Sequence, residues 1–174
     1  MHGDRDAFGI LAERSLDRLV GSAGLILRDP DAAEDAAQDA LIRAWRDLPG
    51  LRDPERFDGW LHRVLVRSCS DQARRRTRDR HEPLPVEVRG AGEPDVTQRV
   101  ADRDELATAL DHLTLDHRVV VVLHYYLGLS HPEIAAAIDQ PVGTVKSRLS
   151  RAMDYLRAEL AAGGRVASVR EGSA

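Results

Sequence analysis

The chain has almost no cysteine and few aromatic residues. Cys69 is the single cysteine among 174 residues, which excludes an intramolecular disulfide framework and a zinc site built from cysteines. No apolar run approaches the roughly 18–20 residues that cross a bilayer. The charged N-terminus is not followed by the apolar segment of a signal peptide. We therefore expect a cytoplasmic protein without membrane insertion.

Charge is distributed unevenly along the chain, although the net charge is only −4. Residues 60–80 hold seven Arg and two Asp, a net charge of +5. The segments on either side are acidic, with net charges of −5 over residues 1–40 and −4 over residues 82–105. A local positive field attracts phosphate whatever the charge of the whole chain. The middle block therefore favours a nucleic-acid partner.

The first 50 residues show helical patterns. Segment 6–27 fits one helix, or two helices separated near Gly21 and Gly24. A second helix is predicted to follow an N-cap at Asp31, with Glu34 three residues later as in a capping box. Its apolar stripe consists of small residues and two leucines: Ala33, Ala37, Ala40, Leu41, Ala44 and Leu48.

A third helix and a linker come next. Phe57 opens the helix, and its predicted buried face consists of Leu61, Val64, Leu65, Ser68, Cys69 and Gln72. Residues 77–102 contain three Pro and two Gly with few large apolar residues, a composition typical of a flexible linker. We predict an all-α protein with domains at 1–80 and 103–162, a linker at 81–102 and a disordered tail at 163–174.

The second domain contains a segment with conflicting signals. Val119–Val122 is a run of β-branched residues, which by itself favours a strand. The spacing of Val120, Leu123 and Leu127 fits a helix, and Gly128 fits a helix C-terminus. We predict a helix over 117–127, preceded by a capping turn at Thr114.

The clearest pattern lies in residues 130–160. Ser130 and Glu133 form a capping box for a short helix, and a break at residues 139–141 precedes a longer helix from Val142. Two helices joined by a tight turn form a helix-turn-helix, whose second helix reads DNA with its N-terminal half. The alternative is a helical hairpin whose charges are merely solvated. The candidate DNA-contacting residues are Thr144, Lys146, Ser147, Arg148 and Arg151.

At this point the sequence resembles a known family. Residues 128–135 and 141–149 (Gly-Leu-Ser-x-x-Glu-Ile-Ala, then Pro-Val-Gly-Thr-Val-Lys-Ser-Arg-Leu) resemble region 4 of sigma-70-type RNA polymerase sigma factors. Residues 31–39 with Arg43-Ala-Trp45 resemble region 2.2, and Phe57-x-x-Trp60-Leu61 resembles regions 2.3 and 2.4. The order and length are similar to the extracytoplasmic-function (ECF) subgroup, with a helical bundle for region 2.

The resemblance implies a transcription initiation factor that is not an enzyme and needs no cofactor or metal. It implies three partners: core RNA polymerase, through the β′ clamp helices and the β subunit; promoter DNA; and an anti-sigma factor. The face that meets core polymerase maps to Asp35, Gln38, Asp39 and Arg43. Contacts to the −10 element map to Arg52, Arg56, His62, Arg63, Arg67 and Arg74, with the flipped base held at loop 48–56. Contacts to the −35 element map to the helix-turn-helix residues named above.

Three other readings stay open. A stand-alone helix-turn-helix regulator would need a ligand or receiver domain, and residues 1–80 lack the alternating strand pattern of a receiver. A sigma-like adaptor without initiation activity carries the same motifs. A histidine enzyme is disfavoured, since His117 and His124 lie two turns apart without a HExxH motif or a nearby carboxylate pattern. For Trp45, Phe57 and Trp60 we predict core positions, and for Cys69 a small core residue.

Overall fold

The computed structural model describes the backbone of residues 2–51, 53–79 and 107–171, and the side chains of residues 6–51, 53–78 and 107–161. All regular elements within these ranges are helical, which confirms the all-α prediction. The predicted linker at 81–102 lies outside the described residues.

Three helices form the N-terminal domain. They are α1 (His2–Leu27), α2 (Pro30–Asp47) and α3 (Phe57–Asp79), and two short 3-10 turns, Leu48–Gly50 and Pro54–Arg56, join α2 to α3. Helix α2 packs between the other two through small side chains, which allow close approach of the helix backbones. Its buried residues are Ala32, Ala33, Ala36, Ala37, Ala40 and Ala44.

The structure selects one of the two alternatives predicted for segment 6–27, and it shows that the predicted cap of α2 is wrong. Helix α1 is continuous through Gly21 and Gly24, because packing against α2 outweighs the low helix propensity of glycine. Helix α2 is capped by Asp29 rather than Asp31, and the Asp29 carboxylate accepts a hydrogen bond from Ala32 N at 2.8 Å. Pro30 is the first helical residue and its fixed φ favours that start.

The predicted buried face of α3 is confirmed. Its predicted members Leu61, Val64, Leu65, Ser68 and Cys69 are all less than 9% exposed. Gln72, the last predicted member, is 9% exposed. The regular 3.6-residue spacing therefore places one face of α3 against the core of the domain.

The C-terminal domain begins in the described residues with a helical segment at 107–111. Helix α4 (Leu115–Val121) follows its N-cap Thr114 and continues as a π-helical turn over Val122–Tyr126. The valine run is thus helical, as predicted, and is buried. Gly128 ends the segment with φ 71°, a conformation that glycine adopts without steric cost.

The last two helices form the helix-turn-helix. They are α5 (His131–Ile138) and α6 (Val142–Glu171). Helix α6 runs on through residues 163–171, for which we predicted a disordered tail. Alanines and other helix-compatible residues on both sides of Gly163 and Gly164 continue the pattern there. Residues 172–174 lie outside the described part.

The two domains contact each other. Helix α5 packs against α3, and α1 packs against α4 and its π-helical turn. Arg28, just after α1, forms an ion pair with Asp111 of the second domain. Among the described residues, no helix is both long and apolar enough to cross a membrane.

Candidate functional site

The turn of the helix-turn-helix has a defined geometry. Ser130 and Glu133 form the predicted capping box, in which Ser130 N donates to the Glu133 carboxylate at 2.8 Å. These hydrogen bonds lower the pKa of Glu133. Asp139 ends α5 in the left-handed conformation, with φ 54° and ψ 52°. Gln140 N then donates to Ala135 O at 3.0 Å, which closes the turn.

Helix α6 divides into a buried and an exposed face. Its buried residues are Val145, Leu149, Ala152 and Leu156. The predicted DNA-contacting residues Lys146, Ser147 and Arg151 are exposed, and Thr144 is partly exposed. They lie within the first three turns of one helix. Thr144, Ser147 and Arg151 form a ridge by their i, i+3 and i+7 spacing, and Lys146 flanks this ridge. This is the arrangement with which a recognition helix enters the major groove.

Arg148 differs from the other residues of that ridge. Its Nη2 atom lies 2.6 Å from Asp116 Oδ2 of helix α4, and its side chain is 26% exposed. The pair fixes the start of α6 against α4. Arg148 therefore has a carboxylate partner that competes with any phosphate or base.

The predicted polymerase face lies on α2, and its members differ in their contacts. Asp35 and Gln38 are exposed. Asp39 lies 3.8 Å from Arg75, and Arg43 lies 2.9 Å from Asp71, in both cases across the contact between α2 and α3. Asp35 and Gln38 are thus free to meet a partner, whereas Asp39 and Arg43 also tie the two helices together.

The same surface contains apolar residues that the sequence reasoning did not assign to it. Ile42 is 65% exposed and Trp45 is 39% exposed, so the prediction of a core position for Trp45 is wrong. The Trp45 ring packs on Phe8 of α1, with ring centroids 5.1 Å apart. Gln38, Ile42 and Trp45 follow each other at helical spacing on one face. The sequence did contain a signal for this apolar surface, because Ile42 falls outside the alanine stripe that forms the buried face of α2.

The residues predicted to contact the −10 element lie just before α3 and along it. Arg56 is exposed and pairs with Asp53 at 3.1 Å. Arg67 and Arg74 are exposed, and Arg74 lies 3.7 Å from Asp71. Arg63 is half-buried. Arg52 lies outside the described residues.

His62 does not lie on the exposed face of α3. It is 5% exposed and lines a cavity of about 620 Å³ between α1, the turns over residues 48–58 and the start of α3. Its Nδ1 atom has no hydrogen-bond partner among the described residues. Burial and the charge of Arg18 lower the pKa of His62, against a smaller opposing effect of Asp58. Arg14, Glu55 and Asp58 also line this cavity, so the wall combines charges of both signs with apolar surface.

The remaining candidate residues are packed against other parts of the protein. Cys69 is fully buried, and burial raises the pKa of its thiol to about 12. The His124 Nδ1 atom lies 2.9 Å from Leu129 O, and the His124 ring stacks on His131 with centroids 5.2 Å apart. Within the described part of the chain, no three His, Cys, Asp or Glu side chains converge to hold a metal ion. Phe57 and Trp60 are half-buried and pack with ring centroids 6.0 Å apart.

Comparison with known proteins gives a consistent result for both domains. The sigma-70 region 2 family matches residues 11–79, and the sigma-70 region 4 family matches residues 103–156. The chain is 36% identical to the RNA polymerase sigma-E factor of Streptomyces avermitilis, over 91% of this chain and 88% of the relative. It is 33% identical to the ECF RNA polymerase sigma factor SigW of Bacillus subtilis, over 91% of each chain.

Solved structures agree with the sequence relatives. The sigma factor RpoE of Bartonella quintana, in complex with the anti-sigma factor NepR, superposes with a TM-score of 0.72 at 27% identity. The match covers 88% of this chain and 96% of that one. CnrH, in complex with the cytosolic domain of CnrY, gives a TM-score of 0.66 at 28% identity over 91% and 90% of the two chains. The chain therefore belongs to the ECF sigma factors of the sigma-70 family, non-catalytic proteins that direct transcription initiation at promoters.

Proposed function

We propose that this chain binds core RNA polymerase through α2 and reads promoter DNA with one surface of each domain. The observation that carries the proposal is the ridge of Thr144, Ser147 and Arg151 on α6, flanked by Lys146, which follows a turn of helix-turn-helix geometry. The chain itself performs no catalytic step. It acts in the cytoplasm, together with the polymerase.

The −35 element is assigned to α6. Hydroxyl and cationic side chains near a helix N-terminus donate hydrogen bonds to phosphates and to purine edges. A bidentate arginine–guanine contact discriminates by about 1–3 kcal/mol. Arg151 is exposed and available for such a contact, whereas Arg148 must first leave Asp116.

The −10 element is assigned to α3 and to the cavity beside it. Strand separation exposes bases, and a flipped base needs a pocket with polar groups inside it. The cavity of about 620 Å³ is lined by His62, whose buried Nδ1 atom has no partner among the described residues, and by Arg14 and Arg18. We therefore assign His62 to the wall of a base-binding pocket. The exposed Arg67 and Arg74 are assigned to backbone phosphates.

The polymerase contact is assigned to the exposed face of α2. Asp35 and Gln38 supply polar groups, and Ile42 and Trp45 add an apolar patch beside them. Protein interfaces combine an apolar centre that includes aromatic side chains with a polar rim. This composition supports a protein partner for α2 rather than DNA.

Regulation by an anti-sigma factor is a further part of the proposal. The solved structures of RpoE and CnrH are complexes with NepR and with the CnrY cytosolic domain, respectively. Both superpose on more than four-fifths of this chain. We infer that this chain is likewise held by such a partner when it is inactive.

Promoter binding requires the two domains to separate. DNA advances about 34 Å for each ten base pairs, so elements at −10 and −35 lie roughly 80 Å apart along a straight duplex. Direct packing of α5 on α3 does not span that distance. We call the arrangement in which α5 packs on α3 closed and assign it to the free chain. An open arrangement, in which the two domains are separated, is assigned to the initiation complex.

The test is in vitro transcription with purified core RNA polymerase on a promoter library from the source genome, with sequencing of the transcripts. We expect new start sites that depend on this chain and share two upstream motifs. Asp35→Arg should weaken binding to core polymerase. Asp154→Arg, the same change at an exposed acidic residue of α6, should change it less. A fluorescent base analogue in the −10 element should report reduced base capture for His62→Ala.

Two other outcomes would contradict the proposal. Stable binding to core polymerase without new transcripts would identify a sigma-like adaptor. DNA binding without any binding to core polymerase would identify a stand-alone regulator.

A further inference from the structure

A second cavity lies between the two domains and is lined by arginines. Its volume is about 530 Å³, within the usual range for small-molecule sites. Arg74, Arg76 and Arg78 line it from the C-terminal end of α3, and Arg118 lines it from α4. Its other lining residues, Leu27, Ala73, Thr77 and Leu115, are apolar or uncharged. Among the described residues, the lining thus contains four guanidinium groups and no carboxylate.

Carboxylates just outside the lining compensate only part of this charge. Arg76 is paired with Asp29, and Arg74 lies 3.7 Å from Asp71. Asp111 directs both carboxylate oxygens at Arg28, with Nε–Oδ1 at 2.5 Å and Nη2–Oδ2 at 3.4 Å.

Arg118 must share Asp111 with Arg28. Asp111 and Arg28 both act electrostatically on Arg118, and burial together with Arg28 lowers the pKa of its guanidinium. Two guanidinium groups therefore face one carboxylate. The shared carboxylate leaves excess positive charge beside the cavity.

Arg118 also has an unsatisfied donor. Its Nε atom is buried and finds no acceptor among the described residues. Buried donors are nearly always paired, so this environment is unusual for an arginine. Arg118 lines the cavity, and a guanidinium donates in a planar fork that matches phosphate oxygens. An oxyanion in the cavity would offset the positive charge that the shared Asp111 leaves uncompensated.

We propose that this interdomain cavity is a binding site for a small multivalent phosphate anion, namely a diphosphate group that is either free or carried by a nucleotide. One phosphate contacts Arg118, and the other contacts the arginines of α3. A diphosphate carries two groups that can each accept from one wall, whereas a single phosphate carries one. The apolar lining from Leu27 and Leu115 leaves room for a nucleoside.

The site has one wall from each domain, so its occupancy is linked to their separation. An anion held by Arg118 and by α3 binds the closed arrangement and loses half of its contacts when the domains part. A ligand that prefers one state shifts the population toward that state. The bound anion therefore holds the chain closed.

The experiment is isothermal titration calorimetry of the full chain with sodium pyrophosphate at constant ionic strength, with GDP, orthophosphate and sulfate in parallel. Constant ionic strength is required because salt screens exposed charges. We expect pyrophosphate to bind about tenfold more tightly than orthophosphate or sulfate, because its second phosphate group accepts charge-assisted hydrogen bonds from the second wall. Tighter binding of GDP than of pyrophosphate would identify a nucleotide as the source, and equal or weaker binding of GDP would identify the free anion.

Variants test the location of the site. Arg118→Gln and Arg78→Gln should each weaken pyrophosphate binding by about tenfold. Arg78 is exposed, so its variant keeps the test valid even if Arg118→Gln fails to fold. Arg157→Gln is the matched control, because it removes an exposed arginine that pairs with Asp154 on α6, and it should leave binding unchanged.

Two results would overturn the proposal: pyrophosphate binding no tighter than sulfate binding, or equal weakening by Arg157→Gln. A radius of gyration that stays the same with and without pyrophosphate would overturn the linkage to domain closure. None of these measurements uses polymerase or DNA. Their failure is therefore distinguishable from a failure of the transcription assay.

Discussion

Arg28 of the first domain and Asp111 of the second form an ion pair across the domain contact, with Nε and Oδ1 2.5 Å apart. The Arg28 side chain is only 14% exposed, so solvent screens the pair less than an ordinary surface pair. Arg28 follows the last residue of α1 with φ 57°. The end of α1 therefore places this side chain toward the second domain.

The first prediction concerns this pair. Arg28→Glu places two like charges at the contact, and we expect the domains to separate more often. Small-angle X-ray scattering should show a larger radius of gyration. The exchanged pair Arg28→Asp/Asp111→Arg should restore compactness, with a coupling free energy of about 1 kcal/mol. Arg46→Glu, at an exposed pair with Asp47 inside α2, should leave the radius unchanged.

The second prediction concerns Gly21, which lies in the middle of α1. A Cβ atom built there would lie 2.7 Å from the hydroxyl oxygen of Tyr126, whose side chain is 51% exposed and free to swing away. Gly21→Ala should therefore stabilise α1 by up to about 1 kcal/mol, the difference in helix propensity. It should also loosen the contact between the domains.

Amide hydrogen exchange of α1, together with scattering, checks both effects. Gly21→Ala/Tyr126→Phe, which lacks the hydroxyl oxygen, should regain compactness. Gly9→Ala is the control, since a Cβ atom at Gly9 meets no other atom within 4 Å. Faster exchange throughout α1 in Gly21→Ala would show that Tyr126 cannot move.

The third prediction concerns the pair of Arg148 and Asp116. Asp116→Asn removes the carboxylate and leaves Arg148 available for DNA phosphate. We expect tighter binding of duplex DNA at low salt and a salt dependence steeper by about one released ion. Fluorescence anisotropy at several salt concentrations measures both quantities.

Matched variants separate this effect from a general change in charge. Asp154→Asn makes the same change at a surface pair with Arg157, farther from the start of α6, and should have a smaller effect. In an Arg148→Ala background, Asp116→Asn should add nothing. An additive effect there would show that Asp116 acts only through the overall charge.

The fourth prediction concerns His62 and pH. Burial, followed by the charge of Arg18, lowers the pKa of His62 in the folded chain below its ordinary value of 6.5. The unfolded chain then binds more protons than the folded chain as pH falls through 6.5. The free energy of unfolding should accordingly decrease in that window.

Urea denaturation at pH 7.5 and pH 5.5 measures the decrease. His62→Gln cannot take up this proton, so it should lose less stability between the two pH values than the parent chain. His112→Gln, an exposed position in the second domain, should lose as much as the parent. An equal loss for His62→Gln would show that other groups carry the pH dependence.

Sequence patterns predicted most of the local structure because it depends on short-range rules. The 3.6-residue spacing of α3 identified its buried face, and the capping box at Ser130 identified the start of α5. The apolar spacing around Val120 outweighed the strand preference of its neighbours. The motifs of both domains, together with their order, identified the family.

Local rules failed where packing or a neighbouring residue decides. A helix interrupted at Gly21 and Gly24 satisfies local propensity equally well, and burial of Ala23 and Ile26 selects the continuous one. The spacing of Trp45 did not show that an aromatic ring would lie at the edge of α2 on Phe8. The two-residue shift of the cap from Asp31 to Asp29 depends on Pro30.

The sequence alone determined the helical class, the faces of the helices, the family and the residues from which DNA contacts are drawn, because each follows from spacing within a short segment. Only the tertiary structure decided that His62 faces a cavity, that Arg148 is held by Asp116 and that Arg118 meets the arginines of α3 at one cavity. These relationships join residues far apart in the chain. Their geometry depends on how whole helices pack, which no local pattern encodes.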